Sequence, residues 1–272
     1  MNSCKTRSKS IVRLFLSVVV LFLISTVMLN SVAAKSTGYI SPNENDLPPD
    51  MDREVGPIST DPDLPPAYGP EDAKVLVLIF ADYRCPACRR ASQATHQIAA
   101  EYPGEVRMEF WNNPLEMHKN ADLGAMAGIA AQRQGKFWEM HDLIFAGGKH
   151  DQADLEAKAL ELDLDLDQFR ADMNDPAVRE RVLQERDLAN ALGATNTPSD
   201  VVNGKVYMGW GGWKSLKRKV DRELAKVNEL EDQGMSLDEI RLERAIENNT
   251  DSTTFELYQT NILESGAYGA GE

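Results

Sequence analysis

The residues with the clearest chemical potential are two cysteines three positions apart, in Cys85-Pro86-Ala87-Cys88. A thiolate attacks a disulfide sulfur, and a second thiol one helical turn later can resolve the mixed disulfide that forms. We predict that Cys85 attacks and Cys88 resolves, because helix geometry exposes the first thiol and places the second beneath it. The spacing therefore indicates a redox-active pair.

The surroundings of the first cysteine favour its ionised form. The sequence places Cys85 between a buried strand and the first turn of a helix, where unpaired backbone N–H groups and the helix dipole favour an anion. Arg84, Arg89 and Arg90 add positive potential. We therefore expect the pKa of the Cys85 thiol to be lowered.

Other kinds of site also use two cysteines at this spacing. A structural zinc site needs a second pair or nearby histidines, whereas His96, His118, His141 and His150 are scattered along the chain. Covalent haem attachment needs a histidine directly after the second cysteine, where Arg89 stands. We predict no metal and no other cofactor, and a purely structural disulfide remains an alternative.

The elements that must hold this pair follow from the pattern of apolar residues. Residues 74–81 (KVLVLIFA) predict a strand buried on both faces, and the next helix has Pro86 in its first turn, where proline is tolerated. Residues 105–111 alternate like a second strand. The order strand, helix, strand implies a parallel pair with a right-handed crossover, and hence an α/β fold.

The second half of this region predicts helices followed by a hairpin. Residues from about 118 to 192 are helical throughout and form an insertion. Strand signals return at residues 199–202 and 206–208, around Asn203-Gly204, which is typical of a type I′ turn. A last core helix starts near Trp213, and its basic residues, Lys219 among them, are expected on a solvated face.

Both ends of the chain differ in composition from this core. Residues 1–34 predict an export signal, with four basic residues before an apolar run and Val32-Ala33-Ala34 for cleavage; an uncleaved membrane anchor is the alternative. Residues 35–70 hold eight of the 13 prolines and predict an extended acidic linker. In the extension 231–272, Ser236 and Glu239 predict a capped helix, and beyond Asn248 we expect partial order at best.

The charge balance argues against polyanionic partners. The chain has 29 basic and 43 acidic side chains, a net charge of −14, and residues 1–34 hold four of the basic and none of the acidic ones. Such a surface repels nucleic acid and anionic lipid. We predict no nucleic-acid partner. A monomer is expected, because the sequence lacks a sizeable amino-terminal dimerisation domain.

Three segments together resemble a known family. FADYRCPAC follows the buried strand, QGKFWEMHDLIF lies in the insertion and NTPSDVVNG precedes the hairpin. In combination they resemble the periplasmic Dsb-type branch of the thioredoxin superfamily, over about residues 68–226. The resemblance implies a thioredoxin fold in residues 71–230, with a helical insertion between the second strand and the hairpin. It also implies that Thr197-Pro198 forms a cis-proline loop that faces the dithiol and binds substrate backbone.

The chain departs from that family's pattern at three positions. Ala87 stands where relatives commonly carry a larger or basic residue, and Ile79 stands where thioredoxin-like enzymes often bury an acid that handles the proton of the second thiol. Asp200 replaces an apolar or aromatic residue, and is interpreted either as an exposed edge carboxylate or as a proton-handling group. Asp82 is expected to be a turn or cap residue, and His118 a loop histidine.

Taken together, these features predict an extracytoplasmic thiol:disulfide oxidoreductase. It would exchange Cys85-Cys88 with cysteines of exported proteins, by oxidising them or repairing their disulfides, and a membrane or soluble redox partner would restore it. Two alternatives stay open. One is a non-catalytic binding or chaperone-like module with a structural disulfide, and the other is a reductant for one partner, such as an apocytochrome or a copper-assembly protein.

Overall fold

The computed structural model describes residues 59, 61–95, 97–249 and 251–264. The predicted export signal and the predicted linker up to residue 58 lie outside these residues. The strands are β1 (Ala67–Tyr68), β2 (Val75–Ala81), β3 (Val106–Asn112), β4 (Ser199–Val202) and β5 (Lys205–Met208). The helices are α1 (Pro86–Thr95), α2 (Gln97–Glu101), α3 (Ala121–Gln132), α4 (Phe137–Ala146), α5 (Gln152–Glu161), α6 (Leu166–Met173), α7 (Pro176–Ala191), α8 (Trp213–Asp232), α9 (Leu237–Asn248) and α10 (Ser252–Tyr258), followed by a π-helical turn, Gln259–Leu263.

The five strands form one mixed sheet in the order β1-β3-β2-β4-β5. Strands β2 and β3 run parallel, as the strand-helix-strand order predicts, and the other neighbouring pairs are antiparallel. Strand β2 therefore lies at the centre of the sheet. Its carboxyl end leads directly to the cysteine pair.

Strand β2 is buried on both faces because all seven of its residues, VLVLIFA, are apolar. Alternate side chains enter two separate clusters. Val75, Val77 and Ile79 belong to the larger cluster, and Leu76, Leu78 and Phe80 to the smaller one. The larger cluster also contains residues of α1, α2, α8 and the inserted helices, and the smaller contains residues of α7, α9 and α10.

The predicted helical insertion is confirmed as α3 to α7, between β3 and β4. Helix α3 carries Gly124 and Gly128, and a Cβ atom on either would lie 3.2 Å from an atom of Tyr83. These glycines let the insertion approach the loop that precedes the cysteines. The predicted hairpin is also confirmed, since Asn203 and Gly204 both have positive φ between β4 and β5.

The predicted end of the linker, at residue 70, is wrong, because the sheet already includes residues 67 and 68. Ala67 and Tyr68 are buried and form β1, which pairs with β3, and the backbone N–H of Phe110 donates to the Pro66 carbonyl. The edge of β3 offers backbone partners that a composition argument cannot detect. The sheet of this domain therefore includes residues that precede residue 70.

The expectation of partial order beyond Asn248 is wrong for residues 251–264. Helix α10 and the π-helical turn carry Tyr258 and Ile262, four positions apart, and both side chains are buried in the smaller cluster. The capping box of Ser236 and Glu239 at α9 is confirmed. Within the part of the chain that the structure describes, no helix is both long and apolar enough to span a membrane.

Candidate active site

The cysteine pair lies at the junction between the central strand β2 and helix α1. Pro86 is the first residue of α1 and is exposed, Ala87 is half-buried, and Cys88 is buried one turn into the helix. The backbone N–H of Cys85 donates to the Asp82 carbonyl at 3.0 Å, which fixes the turn before the helix. This places Cys85 at the first turn of α1, as the sequence predicts. The expected exposure of its thiol is wrong, because Cys85 is also buried, at 7% exposed against 1% for Cys88.

The thiol of Cys85 is strongly acidified, with its pKa lowered to about 5. The largest cause is a hydrogen bond from the Cys88 thiol, and desolvation opposes it. Thr197 and the backbone N–H groups of Ala87 and Cys88 also lower the pKa, because each stabilises the thiolate. The charges of neighbouring arginines, which we expected to contribute, are not among these causes.

Cys88 has the opposite character. Burial raises the pKa of its thiol well above the usual value, and the hydrogen bond to Cys85 raises it further. The backbone N–H of Asp82 donates to the Cys88 sulfur at 3.4 Å. One sulfur is therefore ready to ionise and the other is held as a buried thiol.

Thr197 and Pro198 face the dithiol, as the family resemblance implies. The peptide bond between them is cis. The Cys85 thiol donates to the Thr197 carbonyl oxygen at 3.3 Å, and the Thr197 side chain lowers the pKa of both cysteines. Pro198 and Cys88 line the same small cavity. The loop thus contacts both members of the pair.

That cavity, of about 10 Å³, lies beneath Cys88. Ile79 and His141 also line it, and the hydroxyl of Tyr83 lies 3.3 Å from His141 Nδ1. Its volume is close to that needed for one water molecule. At the position of Ile79, related enzymes often have an acid, whereas this part of the cavity lining is apolar in this chain.

Asp82 does more than end a turn. Its carboxylate is buried, accepts hydrogen bonds from the backbone N–H groups of Arg84 at 2.6 Å and Leu115 at 2.8 Å, and lies 2.7 Å from His118 Nδ1. The structure brings together two residues that were expected to serve separate local roles. Because they are 36 positions apart, only the parallel pairing of β2 with β3 juxtaposes them.

Asp200 is not an exposed edge carboxylate, which excludes one of its two interpretations. It is buried in β4, and Lys219 Nζ of α8 lies 2.5 Å from its Oδ2. Burial raises the pKa of Asp200, although Lys219 opposes the rise. Lys219 is itself buried, so its expected place on a solvated face is also wrong. The register of β4 and the length of the lysine side chain decide this pairing, and neither is visible in the spacing.

The described histidines fall in different surroundings. His141 is buried at the cavity, and the buried ring of His150 contacts the Ile144 carbonyl oxygen at 3.1 Å. His96 lies outside the described residues. Among residues 59, 61–95, 97–249 and 251–264, no group of three or more His, Cys, Asp or Glu side chains is placed to hold a metal ion.

Comparison with known proteins places these features in a family. Residues 63–222 match the family model Thioredoxin_4, described as Thioredoxin. The chain is 34% identical over 173 residues to a probable disulfide bond formation protein D of Bacillus anthracis, covering 59% of this chain and 78% of that protein. It is also similar to a solved thioredoxin-like oxidoreductase from Silicibacter pomeroyi DSS-3, at 33% identity and a TM-score of 0.53, covering 58% of this chain and 91% of that one.

A second group of relatives carries a different name. The chain is 38% identical over 154 residues to a Na(+)/H(+) antiporter NhaA 3 of Salinispora tropica, covering 56% of this chain and 24% of that protein. It thus spans about a quarter of the length of this antiporter. Because the family model matches more than half of the chain and includes the dithiol and the Thr197-Pro198 loop, this chain belongs to the thioredoxin family, in its Dsb-type branch.

Proposed function

We propose that this protein is a thiol:disulfide oxidoreductase that exchanges its Cys85-Cys88 pair with cysteines of exported proteins. It acts outside the cytoplasm, where it oxidises substrate dithiols or repairs incorrect disulfides. A membrane or soluble redox partner returns the pair to its working state. The contrast between the two thiols carries this proposal, because exchange needs one sulfur that ionises readily and one that waits.

In the oxidising direction, a substrate thiolate attacks the Cys85 sulfur of the disulfide form. The Cys85–Cys88 bond breaks, and Cys88 leaves with the electron pair and takes up a proton. A second substrate thiolate then attacks the substrate sulfur of the mixed disulfide, and Cys85 leaves as a thiolate. The substrate loses two electrons and two protons, and the protein disulfide is reduced.

The geometry supports this order of events. A pKa of about 5 makes Cys85 a good leaving group at neutral pH, so release of an oxidised substrate is favoured. Cys88 is the more deeply buried of the two, at 1% exposed against 7% for Cys85, which favours attack at Cys85. Thr197 and Pro198 lie beside the reacting sulfur, in the place from which the family resemblance has a loop bind substrate backbone.

Redox titration of the full-length protein against glutathione, read by thiol trapping, tests the proposal. We expect a disulfide that exchanges within the range of glutathione buffers, and refolding of reduced ribonuclease that depends on Cys85. The matched variants Cys85→Ser and Cys88→Ser separate the two roles. The first abolishes exchange, and the second traps mixed disulfides with substrate.

Two results would contradict the proposed oxidoreductase function. A disulfide too stable to exchange would favour the structural-disulfide alternative, in which the domain only binds polypeptides. Catalysis that survives loss of Cys85 would exclude the assigned attack.

A further inference from the structure

We propose that the mouth of the active site selects polypeptides whose reacting cysteine is flanked by acidic residues. Four basic residues, Arg84, Arg89, Lys119 and Lys149, form the surface that selects them, and we call this set the basic rim. The inference rests on the proposed exchange function and names the substrate class of the same site. All four side chains belong to exposed residues.

Hydrogen bonds fix the two arginines of the rim. Arg84 Nη1 donates to the Gly148 carbonyl at 2.9 Å, and Arg89 Nη2 donates to the Ala146 carbonyl. A guanidinium keeps its full charge when it binds a neutral carbonyl. Both positive groups are thereby held against the loop that follows α4, beside the amino-terminal end of α1.

The two lysines lie in chain segments that contact each other. Asn120 Nδ2 donates to the Lys149 carbonyl at 3.2 Å, which joins the segment containing Lys119 to the loop. The residue before Lys119 is His118, and its ring contacts the carboxylate of Asp82. The backbone N–H of Asp82 in turn donates to the Cys88 sulfur. The segment that contains Lys119 therefore reaches the dithiol through its neighbour His118 and through Asp82.

Three cations of the rim have no carboxylate partner in the part of the chain that the structure describes. No carboxylate there forms an ion pair with Arg84, Lys119 or Lys149. Two acids of the neighbouring segments are paired with other cations, Asp154 with Lys158 and Asp122 with Arg179. The chain as a whole has a net charge of −14, so exposed cations without a carboxylate partner contrast with its average surface.

The charges of the rim are not among the leading causes of the low pKa of Cys85. Hydrogen bonds account for the leading contributions to the low pKa of Cys85. Because Arg84 directly precedes Cys85, acidic side chains next to a substrate cysteine would lie against the rim while the mixed disulfide exists.

Peptides that differ only in flanking charge test this inference. Each carries one cysteine as a mixed disulfide with pyridinethiol, flanked by Glu, Gln or Lys. Cys85 attacks the peptide sulfur and releases pyridinethione, and Cys88 then attacks Cys85 and releases the peptide thiol. With the reduced full-length protein at low ionic strength, we expect the Glu peptide to react about tenfold faster than the Lys peptide. The difference should shrink as added salt screens the charges.

Charge-reversal variants locate the effect. Lys119→Glu combined with Lys149→Glu should remove or invert the preference. Arg170→Glu combined with Lys226→Glu, the same charge change at exposed residues elsewhere, should keep the preference. Two outcomes overturn the inference alone: equal rates for the Glu and Lys peptides while the Gln peptide reacts, or one common change for all three peptides in the Lys119 and Lys149 variant. If no peptide reacts with the unmodified protein, the proposed function fails, and the inference with it.

Discussion

Asp200 on β4 lies directly opposite Ile79 on β2 in the antiparallel ladder. Directly opposed residues project from the same face of a sheet, and Ile79 lines the cavity beneath Cys88. Thioredoxin-like enzymes often bury an acid at the position of Ile79. In this chain a buried carboxylate stands one strand away, paired with Lys219. The sheet face that carries the dithiol therefore still holds a buried acid, which is on β4 instead of β2.

Loss of Asp200 is expected to destabilise the fold. Asp200→Ala leaves the buried ammonium of Lys219 without its carboxylate, which costs about 3–5 kcal/mol of the free energy of unfolding. Urea denaturation of the reduced protein measures this cost. The double variant Asp200→Leu with Lys219→Met removes both charges and should recover most of it. A single variant as stable as the unmodified protein would contradict the assigned ion pair.

The acidity of Cys85 should depend on its neighbour. The rate of alkylation of Cys85 by iodoacetamide, followed against pH, should show a midpoint near 5. Cys88→Ala removes the largest cause of the low pKa and should move the midpoint upward. Cys88→Ser retains a hydroxyl donor and should fall between them. An unchanged midpoint in Cys88→Ala would show that this hydrogen bond is not the main cause.

The same shift links pH to the stability of the reduced protein. The folded pKa of Cys85 lies below the unfolded value of about 9, so ionisation stabilises the folded state. That contribution is complete above pH 9 and is lost as the pH falls through 5. Comparison with Cys85→Ser at several pH values isolates it, and a constant difference in unfolding free energy across that window would refute it.

Thr197 should tune both thiols. Its side chain lowers the pKa of Cys85 and of Cys88, so Thr197→Val, which removes the hydroxyl, should raise both. The rise at Cys85 should be smaller than in Cys88→Ala, because the hydrogen bond from Cys88 is the larger cause. Thr195→Val, an exposed change in the same loop, is the control. Equal midpoints for the two threonine variants would exclude this role for Thr197.

The carboxylate of Asp82 should matter more than the imidazole that it contacts. Asp82→Ala leaves the backbone N–H groups of Arg84 and Leu115 without their acceptor, at about 1–3 kcal/mol for each group that stays buried. His118→Ala removes a half-buried side chain and should cost less. Urea denaturation of both variants provides the comparison, and the reverse order of stabilities would contradict it.

The features that sequence reasoning reached are those encoded locally. The apolar run of β2, the position of Pro86 and the Asn203-Gly204 turn each specify a nearby backbone conformation, and together they fix where Cys85 must lie. Strand-helix-strand order also predicted the parallel pairing of β2 and β3. Resemblance to a family supplied the place of the Thr197-Pro198 loop.

The features that it missed depend on partners distant in the sequence. Asp82 and His118 meet only because neighbouring strands end at the same edge of the sheet. Lys219 lies on the helix side that periodicity marks as solvated, and its flexible stem carries the ammonium to a carboxylate on another element. Composition and periodicity describe the environment of a segment on average, so they do not detect a single long-range pair.

A substitution in the carboxyl-terminal segment should change the stability of the fold without changing the acidity of Cys85. Tyr258 is buried in the cluster on the sheet face opposite the dithiol, and large-to-small changes at buried aromatic residues cost about 3–5 kcal/mol. Tyr258→Ala should therefore lower the unfolding free energy by about that amount, whereas Glu256→Ala, an exposed change in the same helix, should not. Because the sheet separates Tyr258 from Cys85, the folded variant should keep the alkylation midpoint of the unmodified protein. An unchanged unfolding free energy in Tyr258→Ala would contradict the packing of Tyr258 in the core, and a shifted midpoint would show that the two sheet faces are coupled.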